Sequence, residues 1–266
     1  MPKVETKRAL VVVRTYPVPD ESGIESSCTA AITEQGEWLR LFPVPWRLLP
    51  EDQRFRKYQW VDFKVVKAVS DSRRESHHLS PDGIRILSDV LPSARDWQLR
   101  KDVVLPLRAH CLCCLAKERD LQQFPTLGII RPESISRFRI SPDPAPWTEA
   151  QLNMLKQQHF FADAPEQELE KIPFKFYYDF RCPEATCNGH TLMCTDWEMG
   201  QSYRDWKTKY GNDWEAKFRQ RYETEMMQKN DTHFYVGTVA SHPNRWIIIG
   251  LFYPPREVDT GQGDLF

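Results

Sequence analysis

A strand-length run of apolar residues, Trp246-Ile247-Ile248-Ile249-Gly250-Leu251-Phe252-Tyr253, decides the fold class of this sequence. Side chains alternate between the two faces of a strand, so a run that is apolar throughout predicts a strand buried on both faces at the centre of a sheet. Residues 233–239 form a second such run, and Ser241-His242-Pro243-Asn244 supplies turn residues between them, which predicts a β-hairpin. A late central strand usually pairs with early strands, which favours a single interleaved α+β unit.

Residues 1–70 are predicted to be rich in β-strand. Within residues 59–66, polar and apolar residues alternate strictly, which places Val61, Phe63 and Val65 on one face of a strand. Short strands joined by tight turns are typical of small barrels, and we expect a half-barrel here that resembles OB-like barrels. The predicted strands of this region cover residues 9–13, 29–33, 37–43 and 59–66.

The remaining chain mixes helices with strands, so the predicted fold class is α+β. Residues 71–171 form a mixed α/β region, residues 172–253 hold a Cys/His loop, a long helix and the terminal hairpin, and residues 254–266 form a flexible tail. The N-terminal half-barrel is expected to interleave with the helical segment. Helices are expected within residues 92–120, 151–158 and 199–229, and strands at residues 128–132, 138–140 and 174–178.

The composition limits the class of protein. The chain has 266 residues, of which 41% are hydrophobic and 27% charged, as in soluble globular proteins. No apolar run is long enough to span a membrane and the N-terminus does not read as a signal peptide, so we expect a cytoplasmic protein with no membrane partner. The formal net charge of −1 means that any DNA-binding surface must be local and its affinity weak.

Four potential metal ligands are concentrated in one short segment rich in turn residues. The spacing is Cys-x4-Cys-x2-His-x3-Cys, and a set of three thiols and one imidazole suits a closed, structural Zn²⁺ site. The start of this spacing also resembles that of plant-type iron–sulfur proteins with His in place of one Cys, so an iron–sulfur cluster is the alternative. Four unligated side chains are the third possibility, and Asp196 or Glu198 could replace the last ligand. The predicted ligands are Cys182, Cys187, His190 and Cys194.

A second group, His110-Cys111-Leu112-Cys113-Cys114, lies in an apolar stretch that is predicted to be helical. Adjacent cysteines do not easily share one metal, and free cysteine is among the most buried residue types. We therefore interpret this group as core packing. The seven cysteines of the chain are an odd number, which predicts reduced thiols or metal ligands.

Basic residues beside aromatic residues in the β-rich region predict a weak site for single-stranded DNA. Arg40, Arg47 and Lys57 alternate with aromatic side chains, and such surfaces bind the backbone by charge and the bases by stacking. In the alternative interpretation the rings fill the core and the arginines pair with acids. Arg73 and Arg74 are further candidates for gripping phosphate.

Candidates for catalysis are few. Glu75 with His77 or His78 could bind a metal or perform acid–base chemistry, although a polar cluster of this kind is also typical of a solvated loop. The sequence contains no phosphate-binding glycine loop, nucleophile elbow or zinc-protease helix. Whether the protein is an enzyme stays open, and a binding role is favoured.

The last five residues are Gln262-Gly263-Asp264-Leu265-Phe266. They resemble the peptide by which bacterial replication and repair proteins dock on the DNA sliding clamp. The resemblance implies that Leu265 and Phe266 fill an apolar pocket, that Gln262 reaches a polar subsite, and that Asp264 takes the small or acidic position. A tail that packs into the protein's own core is the alternative.

Together these features predict a DNA-associated binding or adaptor protein that has a structural metal site and is recruited to the sliding clamp. The alternative is a metal-dependent nuclease, or another enzyme that acts on DNA, in repair or in defence against phage and mobile elements. A structural protein with a self-packed tail is a third reading.

Overall fold

Two β-sheets form the framework of the chain, and the helices are few. The structure, a computed structural model, describes residues 3–19, 25–157 and 168–256. The α+β class predicted from the sequence is confirmed. The predicted clamp-docking residues 262–266 lie outside the described residues.

The first sheet closes into a five-stranded barrel, where a half-barrel was expected. The strands follow the order β1-β5-β6-β4-β3, and β1 also pairs with β3, which closes the ring. All of these pairs are antiparallel except β4 with β6, and β2 is a short addition at β3. The strands are β1 (Val4–Arg14), β2 (Val18–Pro19), β3 (Glu25–Thr33), β4 (Trp38–Val44), β5 (Trp60–Lys67) and β6 (Ser76–Ile86).

The interior of this barrel follows from the alternation in its strands. Val61, Phe63 and Val65 of β5 are fully buried, as their shared face predicts. Strand β6 was not predicted, because its sequence is polar and contains Pro81 and Gly83, which usually mark loops. It is a strand because β5 and β4 pair with it on either side, so the barrel extends beyond residue 70.

The second sheet has seven strands in the order β7-β8-β12-β13-β11-β10-β9. Strand β9 stands at one end of this order and β8 stands next to β7 at the other end, although only three residues separate β8 and β9 along the chain. The sheet must therefore curl so that β8 comes near β9. The predicted terminal hairpin is confirmed. The strands are β7 (Arg108–Ala109), β8 (Leu127–Ile130), β9 (Ser134–Pro142), β10 (Phe174–Arg181), β11 (His190–Cys194), β12 (His233–Val239) and β13 (His242–Phe252).

The two sheets share one strand order. In the first barrel the strands β1, β3, β4, β5 and β6, numbered first to fifth along the chain, lie in the order first-second-third-fifth-fourth, and the fourth pairs again with the first. The second sheet has the same order when β8 and β9 are counted as one interrupted first strand, β10 to β13 follow as the second to the fifth, and the short β7 is left out. In each sheet the third and fifth strands are the parallel pair, β4 with β6 and β11 with β13. The sequence shows no internal repeat, so the duplication lies in topology alone.

Of the six α- and π-helices among the described residues, three follow one another between β11 and β12. The predicted helix at 199–229 is confirmed, and it is interrupted at Gly211, which has a positive φ of 57°. None of the helices in the described part of the chain is long and apolar enough to cross a membrane. The helices are α1 (Ala94–Val104), α2 (Leu112–Gln122), α3 (Glu149–Gln157), α4 (Trp197–Tyr210), α5 (Trp214–Arg219) and a π-helix (Gln220–Lys229).

The two sheets contact each other through a shared buried cluster, and this contact corrects the predicted interleaving. Within the described residues β13 pairs only with β12 and β11, and not with early strands. Instead Ile249 of β13 shares one buried cluster with Leu10 and Val12 of β1 and with Ile32 of β3. Strand β13 is apolar on both faces because one face packs in the core of the second sheet and the other face contacts the first barrel.

Candidate functional site

Four donor atoms converge beside the second sheet. Cys182 follows β10, Cys187 lies in the next loop, His190 opens β11, and Cys113 comes from the first turn of α2. The ligand atoms of these four residues all lie within 4.8 Å of one another. Cys182 and Cys187 are buried, whereas Cys113 and His190 are half-buried. The arrangement can hold a metal ion, as the sequence predicts.

The spacing of these atoms is that of a tetrahedral site. His190 Nε2 lies 3.2 Å from Cys113 Sγ and 3.4 Å from each of Cys182 Sγ and Cys187 Sγ. With Zn–S bonds of about 2.3 Å and Zn–N bonds of about 2.0 Å, a tetrahedral S···N edge is roughly 3.5 Å. The three N···S distances therefore agree with those of a tetrahedral site to within about 0.3 Å.

The loop between β10 and β11 prepares one thiol for the anionic form. The backbone N–H groups of Cys182 and Gly189 donate to Cys187 Sγ at 3.3 and 3.4 Å. Gly189 has a φ of 92°, a conformation that residues with a side chain rarely adopt. Burial raises the pKa of the Cys187 thiol, but these donors outweigh it and leave the pKa below its ordinary value. A thiolate is the form that binds metal.

The predicted fourth ligand is corrected. Cys194, at the end of β11, is buried and lies outside the group of four donors. Cys113 completes the group, although the 110–114 segment was interpreted as core packing; its side chain is half-buried and also packs against the core cluster. The dense run of thiols at residues 111–114 was the feature of the sequence that pointed to Cys113. Nothing in the spacing of this run connects Cys113 with the Cys182–His190 loop, which is distant along the chain.

The remaining thiols of α2 form a second, looser group. Cys111 caps the helix, accepting from the backbone N–H of Cys114, and the two Sγ atoms lie 2.8 Å apart. Cys114 also lies with His110 and Glu184 in a set of donor atoms within 4.8 Å of one another. Cys111 is fully buried, which agrees with the core-packing interpretation for that residue.

Most of the predicted nucleic-acid contacts serve the fold. Arg40 is 3% exposed and donates to the Thr126 carbonyl at 2.9 Å. Arg73 is buried and donates to the Thr238 carbonyl at 2.7 Å, and Arg47 pairs with Glu25 at 3.1 Å. These arginines are occupied by acceptors of the protein itself, so they do not form a basic face.

Lys57 is likewise committed to internal partners. Its Nζ lies 3.2 Å from a carboxylate oxygen of Glu198 and 3.7 Å from one of Asp196. Burial lowers the pKa of Lys57, but the two carboxylates outweigh burial and hold the pKa above its ordinary value. Of the five predicted basic residues only Arg74 is exposed, and its guanidinium carbon stands 4.9 Å from the centre of the Phe124 ring.

The candidate catalytic residues do not assemble into an acid–base pair. Glu75 is buried, and its carboxylate contacts Arg40 and the Thr126 hydroxyl. The Nδ1 atoms of His77 and His78 face the backbone carbonyls of Glu75 and Phe42. Glu75 therefore belongs to a buried polar contact between the two sheets, and the interpretation of this segment as a solvated loop is wrong for Glu75.

An outward face of the second sheet carries cations beside an aromatic ring. Along β10 the buried Phe176 and Tyr178 alternate with Lys175 and Tyr177, whose side chains are exposed or half-buried. Arg139 of β9 is directly opposite Tyr177, with its guanidinium carbon 5.4 Å from the ring centre. Tyr177, His190, Met193, Arg245 and neighbouring residues line a shallow cavity of about 330 Å³ at this face.

The fold and the site define an α+β protein with a closed five-stranded barrel, a second sheet and a Cys/His cluster able to hold a metal. Residues 108–266 match the family described as Domain of unknown function (DUF8757), more than half of the chain, and the protein belongs to that family. Residues 5–106 match a second one, Domain of unknown function (DUF8758).

No curated protein sequence matches the chain. Among solved structures, a murine DNA-binding protein bound with double-stranded DNA is similar at 9% sequence identity, over 98% of this chain and 100% of that chain. The TM-score of 0.32 supports no statement about the fold.

Proposed function

We propose that the protein binds single-stranded nucleic acid through OB-like barrels. The observation that carries the proposal is the strand order that the two sheets share, with the third and fifth strands parallel in each. The OB-fold is a small five-stranded Greek-key barrel that binds oligonucleotides on the face of its second and third strands and on flanking loops.

The second sheet offers this face to solvent, whereas the first barrel does not. In the first barrel the second strand, β3, is buried along almost its whole length. In the second sheet the corresponding strands are β10 and β11, which present Lys175, Tyr177 and Met193 outward. Arg139, which pairs with Asp179 at 2.9 Å, and Arg245 flank them. Cations beside a ring that can stack on bases are what a single-strand surface requires.

Replacing Tyr177 with Ala tests this assignment. Stacking on an aromatic side chain is worth about 1–3 kcal/mol per base, so Tyr177→Ala should weaken binding of a labelled single strand by about fivefold or more. Wild-type affinity should fall steeply as salt is added. Fluorescence anisotropy at low and moderate salt measures both effects.

Tyr210→Ala is a matched control, because Tyr210 is also half-buried beside a lysine but lies on α4, away from this face. Its affinity for single strands should equal that of the wild type. Absence of single-strand binding by the wild type at low salt, or equal affinity of Tyr177→Ala and wild type, would refute the proposal.

For the metal, the donor set favours Zn²⁺ over an iron–sulfur cluster. Three thiols and one imidazole fill all four tetrahedral positions, which is the pattern of a structural zinc site. Such an ion would fix α2 against the loop between β10 and β11. A colourless protein containing one zinc per chain is the expected result, and a brown protein containing iron would overturn it.

We also propose the bacterial sliding clamp as a partner, on the sequence of the tail alone. Leu265→Ala with Phe266→Ala should abolish binding to the clamp without changing the melting temperature, because two apolar anchors dominate such docking. Thr260→Ala serves as the control in the same tail. If the double variant binds the clamp like the wild type, or loses thermal stability because the tail packs on the core, the docking role is refuted.

A further inference from the structure

A cavity of about 770 Å³ opens between the first barrel and the start of α4. The first barrel supplies Arg14 from the end of β1 and Trp46 and Arg56 from the segment between β4 and β5. Helix α4 supplies the opposite wall. The residues on this wall include Trp197, Glu198 and Asp205.

Arg14 is the unusual feature of this cavity. Its guanidinium carbon lies 3.7 Å from the centre of the Trp46 ring and 4.1 Å from that of Trp197. Its Nε and Nη1 are buried and have no hydrogen-bond partner within the part of the chain that the structure describes. Burial lowers the pKa of Arg14 to about 10, so the group remains a cation at neutral pH. The carboxylates of Glu198 and Asp196 offset part of the cost of burying this charge, but they do not accept a hydrogen bond from Nε or Nη1, and an acceptor on a ligand would lower the remaining cost.

The helix wall of the cavity is acidic, whereas the barrel wall is mainly basic with one exposed acid, Glu51. Lys57 is already paired with Glu198 and Asp196, and Arg54 donates to the Leu49 and Arg47 carbonyls, so the remaining cations on the barrel side are Arg14 and the exposed Arg56. On the helix side Glu198 is exposed, and Asp205 accepts a hydrogen bond from Gln201 at 2.8 Å. A ligand that fits both walls carries an anion at one end and hydrogen-bond donors at the other.

The indole rings of Trp46 and Trp197 indicate what the middle of such a ligand is, between its anionic end and its hydrogen-bond donors. Their ring centres are 5.5 Å apart and inclined at 59°, and both side chains are half-buried. Half-buried indoles beside a guanidinium form a surface on which a flat heterocycle can stack. An anion, a flat ring and donor groups together are the chemistry of a nucleotide whose base bears an exocyclic amino group.

We propose that this cavity binds one nucleotide, with the phosphate held by Arg14 and Arg56, the base stacked on Trp46 or Trp197, and its amino group donating to Glu198 or Asp205. The site is separate from the strand-binding face at Tyr177. The nucleotide is either free in solution or a single unit of a strand, and the chemistry of recognition is the same for both.

Titration of the full chain with mononucleotides tests the proposal. dAMP should bind saturably and quench tryptophan fluorescence, and dTMP, which lacks an exocyclic amino group, should bind more weakly. Arg14→Gln and Trp197→Leu should each weaken dAMP binding by about tenfold or more, as loss of a charge-assisted contact or a stacking partner predicts. Arg56→Ala changes an exposed residue at the rim of the cavity, so this variant tests the phosphate contact without affecting folding.

Arg85→Ala is the matched control, since Arg85 is an exposed arginine of the same barrel outside the cavity. A single-stranded oligonucleotide forms the second arm. If only the oligonucleotide binds and the cavity variants weaken it, the ligand is a nucleotide within a strand. If neither probe is affected by the Arg14, Arg56 and Trp197 substitutions, or if no mononucleotide and no strand binds, the cavity is not a nucleotide site.

Tyr177→Ala separates this site from the strand-binding face. That variant should keep the fluorescence response to dAMP while losing affinity for single strands. A normal dAMP response with no strand binding would refute the proposed function and leave the cavity proposal in place.

Discussion

Cys113 and Cys194 show that the position of a thiol in space decides whether it can be a metal ligand. Cys194 is the nearer of the two to the Cys182–His190 segment in sequence, yet its Sγ is not within the group of donor atoms that lie within 4.8 Å of one another. Cys113 is distant in sequence, and its Sγ lies 3.2 Å from His190 Nε2. Burial raises the pKa of the Cys194 thiol, which keeps it protonated.

Substitution of single cysteines should separate these roles. Cys113→Ser and Cys187→Ser should lower the metal content and the melting temperature together, because metal binding is coupled to folding. Cys194→Ala should leave the metal content at its wild-type value. Elemental analysis beside thermal denaturation checks this. If Cys194→Ala loses the metal and Cys113→Ser retains it, the ligand set of the structure is wrong.

Three of the four donors could be found from the sequence because they lie within one turn-rich segment. Cys182, Cys187 and His190 are close whatever the rest of the chain does, so their spacing carries information. The fourth ligand depends on where α2 packs, and this is set by tertiary contacts that local spacing does not encode.

At the scale of elements, β13 lies at the contact between the two sheets. A Cβ atom added at Gly250 would stand 2.9 Å from Val13 Cγ2 of β1, closer than real side chains approach. The absence of a side chain at Gly250 therefore lets the two sheets come together. Asp196 supports the same strand by accepting from the backbone N–H of Leu251 at 3.1 Å while it caps α4.

Gly250→Ala should destabilise the protein by about 1–3 kcal/mol, the usual cost of overpacking a closely packed contact. The double variant Val13→Ala with Gly250→Ala should lose less stability than the two single variants summed, since the first change removes the atom that the second one meets. Urea denaturation of all four proteins gives the coupling energy. Simple additivity would mean that Gly250 and Val13 do not limit the approach.

The alternation of polar and apolar residues predicted most strands. It failed where a segment without such alternation becomes a strand because neighbouring strands pair with it. β5 alternates, so its buried face at Val61, Phe63 and Val65 was predictable. β6 is polar and was missed, although two neighbours hold it in the barrel. The apolar run at 246–253 correctly indicated burial on both faces. It could not distinguish a strand central in one sheet from a strand between two sheets.

On the scale of the whole molecule, buried charges connect the two sheets. Arg40 of β4 donates to the Thr126 carbonyl just before β8 and pairs with Glu75 at 3.4 Å. Arg73 reaches the Thr238 carbonyl of β12. The sequence suggested a basic face from these residues, because composition does not reveal which arginines a neighbouring sheet will cover.

Arg40→Ala should therefore lower the free energy of unfolding by about 3–5 kcal/mol, because Glu75 would remain buried without its partner. The double variant Arg40→Met with Glu75→Leu should recover part of this loss. Arg74→Ala, the exposed neighbour of the same cluster, should change stability by less than about 0.5 kcal/mol. Thermal and urea denaturation measure all three. An Arg40→Ala variant that is as stable as the wild type but binds single strands less well would restore Arg40 as a nucleic-acid contact.

The fourth donor of the metal cluster has a consequence for the unfolded chain. A metal held by Cys113 together with Cys182 ties two points about 70 residues apart, so it closes a loop as a disulfide would. In the chain-entropy account, closing a loop of this length raises the free energy of the denatured ensemble by about 4 kcal/mol, because it lowers the conformational entropy of that ensemble. The local ligands Cys182, Cys187 and His190 alone would close only a short turn. The metal would thus act as a reversible crosslink that spans β8, β9, α3 and β10, and its removal by a chelator would release this whole stretch at once.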